Sequence, residues 1–230
     1  MKQTLASLLL IALISSSALA QIKPEDIPLE PQVSHVFYTD NDISTKMANA
    51  KSWTAKAFGD YKSVLQFEDN DKYRIIIKGV SDFESSRNFE TGGYVNEYVT
   101  FTITFDFKED RYRILIDDIK IHEIKQLFRG GMIHDNEWSL SSLEPSALAT
   151  FNVRYITTQL DSLNNLQGLS KQDARKNEKK KKKLQEDLIT REEELTKENA
   201  KSEYRINKYK QIISDLFNSA SAAISETDDF

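Results

Sequence analysis

No cysteine occurs anywhere in the 230 residues. That excludes disulfides, thiol nucleophiles, thiolate-bound zinc and a lipid-modified N-terminal cysteine, and it leaves the fold to be held by its own core. Histidine is also rare, at three residues. No G-x-S-x-G elbow, phosphate-binding loop or H-E-x-x-H pair is present, so no motif speaks for an enzyme or a cofactor. Positive charge is in deficit: 31 Lys and Arg stand against 36 Asp and Glu. An acidic chain is ill suited to nucleic acid, because phosphate contacts supply most of that affinity. Beyond the first residues, no apolar run is long enough to cross a membrane, which takes about 20 residues.

The first residues have their own signature. Lys2 precedes an apolar stretch, Leu5–Ile14, and then small residues ending in Ala18-Leu19-Ala20. A basic start, a short greasy centre and an A-x-A ending predict a signal peptide over residues 1–20, cleaved before Gln21. The mature chain then works in the periplasm or outside the cell. It carries 30 basic against 36 acidic residues, a net charge of −6. Residues 21–32, with Pro24, Pro28 and Pro31, read as an extended arm.

Hydrophobic spacing predicts the elements that follow. Val33–Thr39 is a short strand with Val33, His35 and Phe37 on one side. Asp40-Asn41-Asp42 offers helix caps, and Ile43, Met47, Ala50, Trp53, Ala57 and Phe58 recur at helical spacing before Gly59. A first hairpin is expected to pair Ser63–Glu68 with Lys72–Val80 around Asp69-Asn70-Asp71. That register sets Phe67 against Tyr73, Leu65 against Ile75 and Glu68 against Lys72. Residues 81–93 read as a mobile connection.

Alternation is clearest from Val95 to Phe107. Odd positions carry Val95, Glu97, Val99, Phe101, Ile103, Phe105 and Phe107; even positions carry Asn96, Tyr98, Thr100, Thr102, Thr104 and Asp106. A period of two means one greasy and one watery face, hence an antiparallel strand. A two-residue turn at Glu109-Asp110 sets Phe107 against Tyr112, Phe105 against Ile114, Ile103 against Ile116 and Asp106 against Arg113. Continued unchanged, that register would bury Asp118 opposite Phe101 at a cost of several kcal/mol. A β-bulge at Asp117-Asp118 restores the phase, bringing Ile119 to Phe101 and Ile121 to Val99.

Glu123–Glu144 is irregular, and Pro145 is placed to open a helix carrying Leu148, Phe151, Tyr155, Ile156, Leu160 and Leu163 as far as Gly168. Composition then shifts. Lys171–Lys183 holds eight basic and two acidic residues, a net of +6; Leu184–Glu203 holds three basic and seven acidic, a net of −4. From Ile206 a heptad-like stripe runs through Tyr209, Ile213, Leu216, Ala220 and Ala223. Traced backwards its seam is half polar, so a solvated helix leading into a packed one fits better than a strong coiled coil.

Four features carry a family resemblance: the helix bearing Trp53 and Phe58, the strand start VLQFED, the strand end IIIKG, and the hairpin FTITFDFKEDRYRILIDDIKI behind a bacterial leader. Over roughly residues 33–122 the chain resembles a secreted bacterial family known only as a domain of unknown function with a TBP-like fold. The resemblance implies a curved antiparallel sheet with helices on one face, ordered strand–helix–four strands–helix. The spacing above predicts the same order: an α+β domain over 33–168, then a long charged helical extension, 169–230. The shape carries no licence for DNA binding.

Candidate chemistry is sparse. His35 and His122 fall in strands, where a partly buried, hydrogen-bonded histidine is ordinary. His134, Asp135 and Glu137 could ligate a metal or act as acid and base, but their spacing matches no metal motif. Asp117-Asp118 is read as the bulge rather than as paired catalytic carboxylates. Lys179–Lys183 could make a weak polyanion contact. The watery strand face, Asn96, Tyr98, Thr100, Thr102 and Thr104, is the candidate binding surface. The leading expectation is therefore a non-catalytic exported binding module that needs no cofactor and meets an unknown protein or envelope partner. Its rivals are a structural envelope protein that self-associates or docks through its C-terminal helix, and a hydrolase or metal-dependent enzyme.

Overall fold

Capping and apolar spacing place the first helix where the sequence predicts it. In the computed structural model, which describes residues 21–87, 94–127, 131–144, 147–167 and 170–227, α1 spans Ile43–Phe58. Asp42 Oδ1 accepts the Thr45 amide at 2.7 Å, and Gly59 ends the helix at φ +79°, a conformation that favours glycine. The predicted leader lies outside the described residues, as does Pro145.

The strands are β1 (Val33–Tyr38), β2 (Leu65–Asp69), β3 (Arg74–Arg87), β4 (Tyr94–Phe107), β5 (Arg111–Leu127) and β6 (Gly131–Trp138). They form one antiparallel sheet in the order β1-β5-β4-β3-β2, with β6 pairing β5 beyond the end of β1. The β4–β5 ribbon has the predicted register: Phe107 meets Tyr112, Phe105 meets Ile114, and Ile103 meets Ile116. The bulge is also present. Pairing shifts between Thr100 and Thr102, Val99 regains Ile121, and Asp118 takes φ +48°.

Elsewhere the structure corrects the sequence reading. In the first hairpin Leu65 meets Ile77, Phe67 meets Ile76, and Glu68 meets Ile75. Asp69 is the reason: its Oδ1 accepts the amides of Asp71 and Lys72, and Tyr73 turns to φ +52°, so the loop is longer than three residues. Glu68 instead binds Lys51 at 2.6 Å and the Tyr61 hydroxyl at 2.8 Å. Residues 61–64 form a one-turn helix, α2 (Tyr61–Val64), rather than strand. The stretch 81–93, expected as a connection, continues β3 to Arg87; a bulge between Asp82 and Glu84 turns Phe83 into the core. The irregular stretch after Glu123 continues β5 to Leu127 and adds β6.

The largest correction concerns the roof of the sheet. The helices α3 (Ala147–Asn164) and α4 (Lys171–Ile224) differ sharply in what they cover. The central core joins α1 to the last turns of α4: Met47, Ala50 and Trp53 share it with Tyr209, Ile213, Phe217, Ala220 and Ile224. Both helices cover the face carrying Val99, Phe101, Ile103 and Phe105. The end of α4 therefore belongs to the sheet domain, and a boundary at 168/169 would cut through its core. Fully burying Ile213, Phe217 and Ile224 contributes roughly 1.5–3 kcal/mol each. The proline arm is not free either. Ile22 and Ile27 are buried, and Ser214 and Asn218 donate to the Ile22 carbonyl at 2.7 and 2.8 Å.

α3 instead packs along α4. On α4 the partly covered positions Asn177, Lys181, Leu184, Leu188, Arg191 and Leu195 alternate by four and three, the spacing of one helix face against another. At about 1.5 Å per residue, α4 is about 80 Å long, so its charged part forms an arm beyond the sheet.

Gly79 sits where the roof presses closest. A Cβ there would lie 2.4 Å from the Phe101 ring and 2.9 Å from that of Phe58, and Phe101 is fully buried. Gly79→Ala should cost about 1–3 kcal/mol through overpacking, read as a lower urea midpoint with an unchanged slope.

Candidate functional site

With α1 and α4 on one face of the sheet, no helix among the described residues lies on the other face. Its rows follow from the strand registers. One row holds Val36, Arg113, Asp106 and Arg74; the next holds Ser34, Leu115, Thr104 and Ile76. Further along, Thr102 lies between Asp117 and Lys78, Thr100 between Lys120 and Val80, and Tyr98 between His122 and Asp82.

All five residues of the predicted surface therefore share this face, but they are not equally available. Asn96, Tyr98, Thr100 and Thr102 are partly exposed, and the Ser85 hydroxyl donates to Asn96 Oδ1 at 2.7 Å. Thr104 is only 7% exposed, closed in by Ile76 and Leu115. It is part of the packing rather than the surface.

The strongest electrostatic feature lies beyond Thr104, at the turn end of the face. Asp106 is gripped from both sides. Arg74 Nε donates to its Oδ1 at 2.5 Å, and Arg113 donates to Oδ2 through Nη2 at 2.5 Å and Nε at 3.1 Å. Burial opposes the charge on Asp106, but the hydrogen bonds from Arg74 and Arg113 outweigh it and hold the carboxyl below its ordinary range. Lys72, Lys108 and Arg111 complete a cleft around this triad. The Asp106–Arg113 pair was legible in the alternation of the second hairpin. Arg74 was not, because nothing local assigns the register of β3 against β4.

Beneath the same turn, from the roof side, Lys46 is fully buried. Its Nζ donates to the carbonyls of Lys108 and Glu109 at 2.6 and 2.7 Å. Desolvation lowers its pKa, offset in part by Asp110 and Asp42. The turn carrying the cleft is thus anchored from within.

The other candidates are scattered. The rings of His35 and Phe217 form a T-shaped pair with centroids 4.9 Å apart, and burial lowers the His35 pKa. His134, Asp135 and Glu137 fall in β6, opposite Lys125, Ile124 and His122, an extended run rather than a loop. Glu137 also lies 3.1 Å from Lys120 and 3.9 Å from His122. Asp117 is pushed up by burial and by the neighbouring Asp118, which itself sits at the bulge. Lys179–Lys183 lie on the arm, away from the sheet. Among the described residues no three His, Asp or Glu side chains gather to hold a metal ion, and no helix is long and apolar enough to cross a membrane.

Fold and face together define an α+β domain with one open sheet surface. Residues 47–122, from α1 to the middle of β5, match the family described as a domain of unknown function (DUF4468) with TBP-like fold. Among solved structures, a TBP-like protein from Parabacteroides distasonis is similar at 12% identity and a TM-score of 0.33. That match covers 47% of this chain and 64% of the other, so the chain spans less than two thirds of that protein. A DUF4468 family protein from Bacteroides ovatus is similar at 13% identity and a TM-score of 0.44, over 89% of this chain and 91% of the other. No curated protein matches the chain.

The Asp106 triad has a definite pH signature. A folded-state pKa below the unfolded value of about 3.9 contributes stability that is present above that pH and lost as pH falls through the folded value. Asp106→Asn should therefore lower the unfolding free energy at pH 7 by about 1.5–3 kcal/mol. The difference from wild type should shrink below pH 4, measured by urea unfolding across that range.

Proposed function

We propose that the protein is a non-catalytic binding module acting outside the cytoplasm, and that the open sheet face is its contact surface. One observation carries this reading: both core helices lie on the same face, so Asn96, Tyr98, Thr100 and Thr102 look outward along β4, the middle strand of the sheet. Surface that no helix among the described residues covers, flanked by the half-exposed Val36 and Val80, suits contact with a partner or ligand. The leader-like first residues support export. A photocrosslinking amino acid at Tyr98 or Thr102 should give adducts with envelope material, whereas one at Glu186 on the arm should not. Adducts from Glu186 alone would overturn the reading.

A second reading, a structural protein that self-associates through its helical arm, is favoured by one specific observation. Phe151 and Tyr155 stack at 6.2 Å on the outer side of α3, at 61% and 55% exposure, and Ile189 on α4 is 57% exposed. Deleting residues 171–230 cannot test this, because it would also remove the core residues of α4. Phe151→Ser with Tyr155→Ser keeps the core. On this reading the wild type shows concentration-dependent mass in sedimentation and the double variant does not.

A further inference from the structure

We propose that the cationic cleft at the turn end of the open face is a binding site for a phosphomonoester group, an inference that rests on the open face being the contact surface. The cleft encloses about 410 Å³, within the range of roughly 300–1,000 Å³ of small-ligand sites. Arg74, Arg113, Lys72, Lys108 and Arg111 converge there, in a chain whose net charge is −5. The patch is therefore a local concentration and not the by-product of a basic protein.

Charge selects the ligand class. Lys72 lies 3.7 Å from Asp69 and Arg111 lies 3.5 Å from Asp110, while Asp106 sits between the two remaining arginines. Five positive charges thus face three carboxylates, an excess of two. A phosphomonoester carries about −1.5 to −2 at pH 7 and matches that excess, whereas a single carboxylate or a phosphodiester would meet only half of it.

Geometry prepares the donors. Asp106 engages Arg74 through Nε alone and Arg113 through Nε and Nη2. Among the described residues, both terminal nitrogens of Arg74 and Nη1 of Arg113 have no hydrogen-bond partner. The two side chains are 41% and 44% exposed. Asp106 holds both planar forks in place, so little rotamer entropy remains to be lost when an oxyanion accepts from them. Val36, 50% exposed in the same row, offers an apolar wall for whatever carries the phosphate.

The test uses residues 21–230 and isothermal titration with inorganic phosphate, and separately with phosphatidylcholine vesicles with and without phosphatidic acid. Saturable phosphate binding is expected. Arg74→Gln with Arg113→Gln should weaken it about tenfold or more. Because that pair also strips Asp106 of its partners, Lys72→Gln with Lys108→Gln is the second variant; it leaves the triad intact and should weaken binding about threefold. Binding of phosphate and of phosphatidic acid vesicles alike supports a lipid headgroup as the source, and binding of phosphate alone supports a free phosphoester. Absence of phosphate binding, or binding unchanged in both variants and lost when Lys179–Lys183 become glutamine, overturns the site. Crosslinking through Thr102 without phosphate binding defeats this inference and leaves the open face standing; loss of both defeats both.

Discussion

Everything in this molecule depends on α1 and the end of α4 meeting on one face of the sheet. The β4–β5 ribbon sends Val99, Phe101, Ile103 and Phe105 to one face and threonines to the other. α1 and the end of α4 meet on the apolar face, where Trp53 lies edge-on to both Phe58 and Phe105 and donates its Nε1 proton to Ser219 at 3.3 Å. With no cysteine to staple the chain, that single apolar layer is the main source of stability, and it dictates where a surface is left over.

Polar contacts then fix how the roof sits. Glu97 is the one charge on the apolar side of β4, and Arg205 of α4 meets it at 2.9 Å with both side chains largely buried. The same guanidinium lies 5.7 Å from the centre of the Phe83 ring, the residue turned inward by the β3 bulge. At the other end of α4, the Tyr112 hydroxyl donates to the Ser221 carbonyl at 3.1 Å. These contacts space α4 along the sheet. They set its position more than its stability, since buried ion pairs gain little net energy over apolar replacements.

The open face is organised by the same economy of pairing. Threonines and Tyr98 form its middle, while Asp106 binds two arginines to each other at the turn end. Two like charges would repel if left alone; the carboxylate between them fixes both and keeps their outer donors facing the cleft. Lys46 secures the turn from beneath through the Lys108 and Glu109 carbonyls. A surface anchored on both sides of the sheet is preorganised, which is what a contact site requires.

Residues close in sequence determined by themselves the first helix and its Asp42 cap, the register of the long ribbon, and the Asp118 bulge. Each depends on neighbours a few positions apart, or on a two-residue turn that leaves one register open. Distant pairings were decided only in three dimensions. Which helix roofs the sheet is a matter of tertiary packing: Tyr209, Ile213 and Phe217 of α4 enter the core, while α3 packs against α4. Glu97 interrupts the apolar alternation of β4, and Arg205, 108 residues away, binds it. Arg74 joined the cleft through strand pairing whose register rests on the whole sheet, because hydrophobic period tells which face a residue takes but not which strand lies beside it.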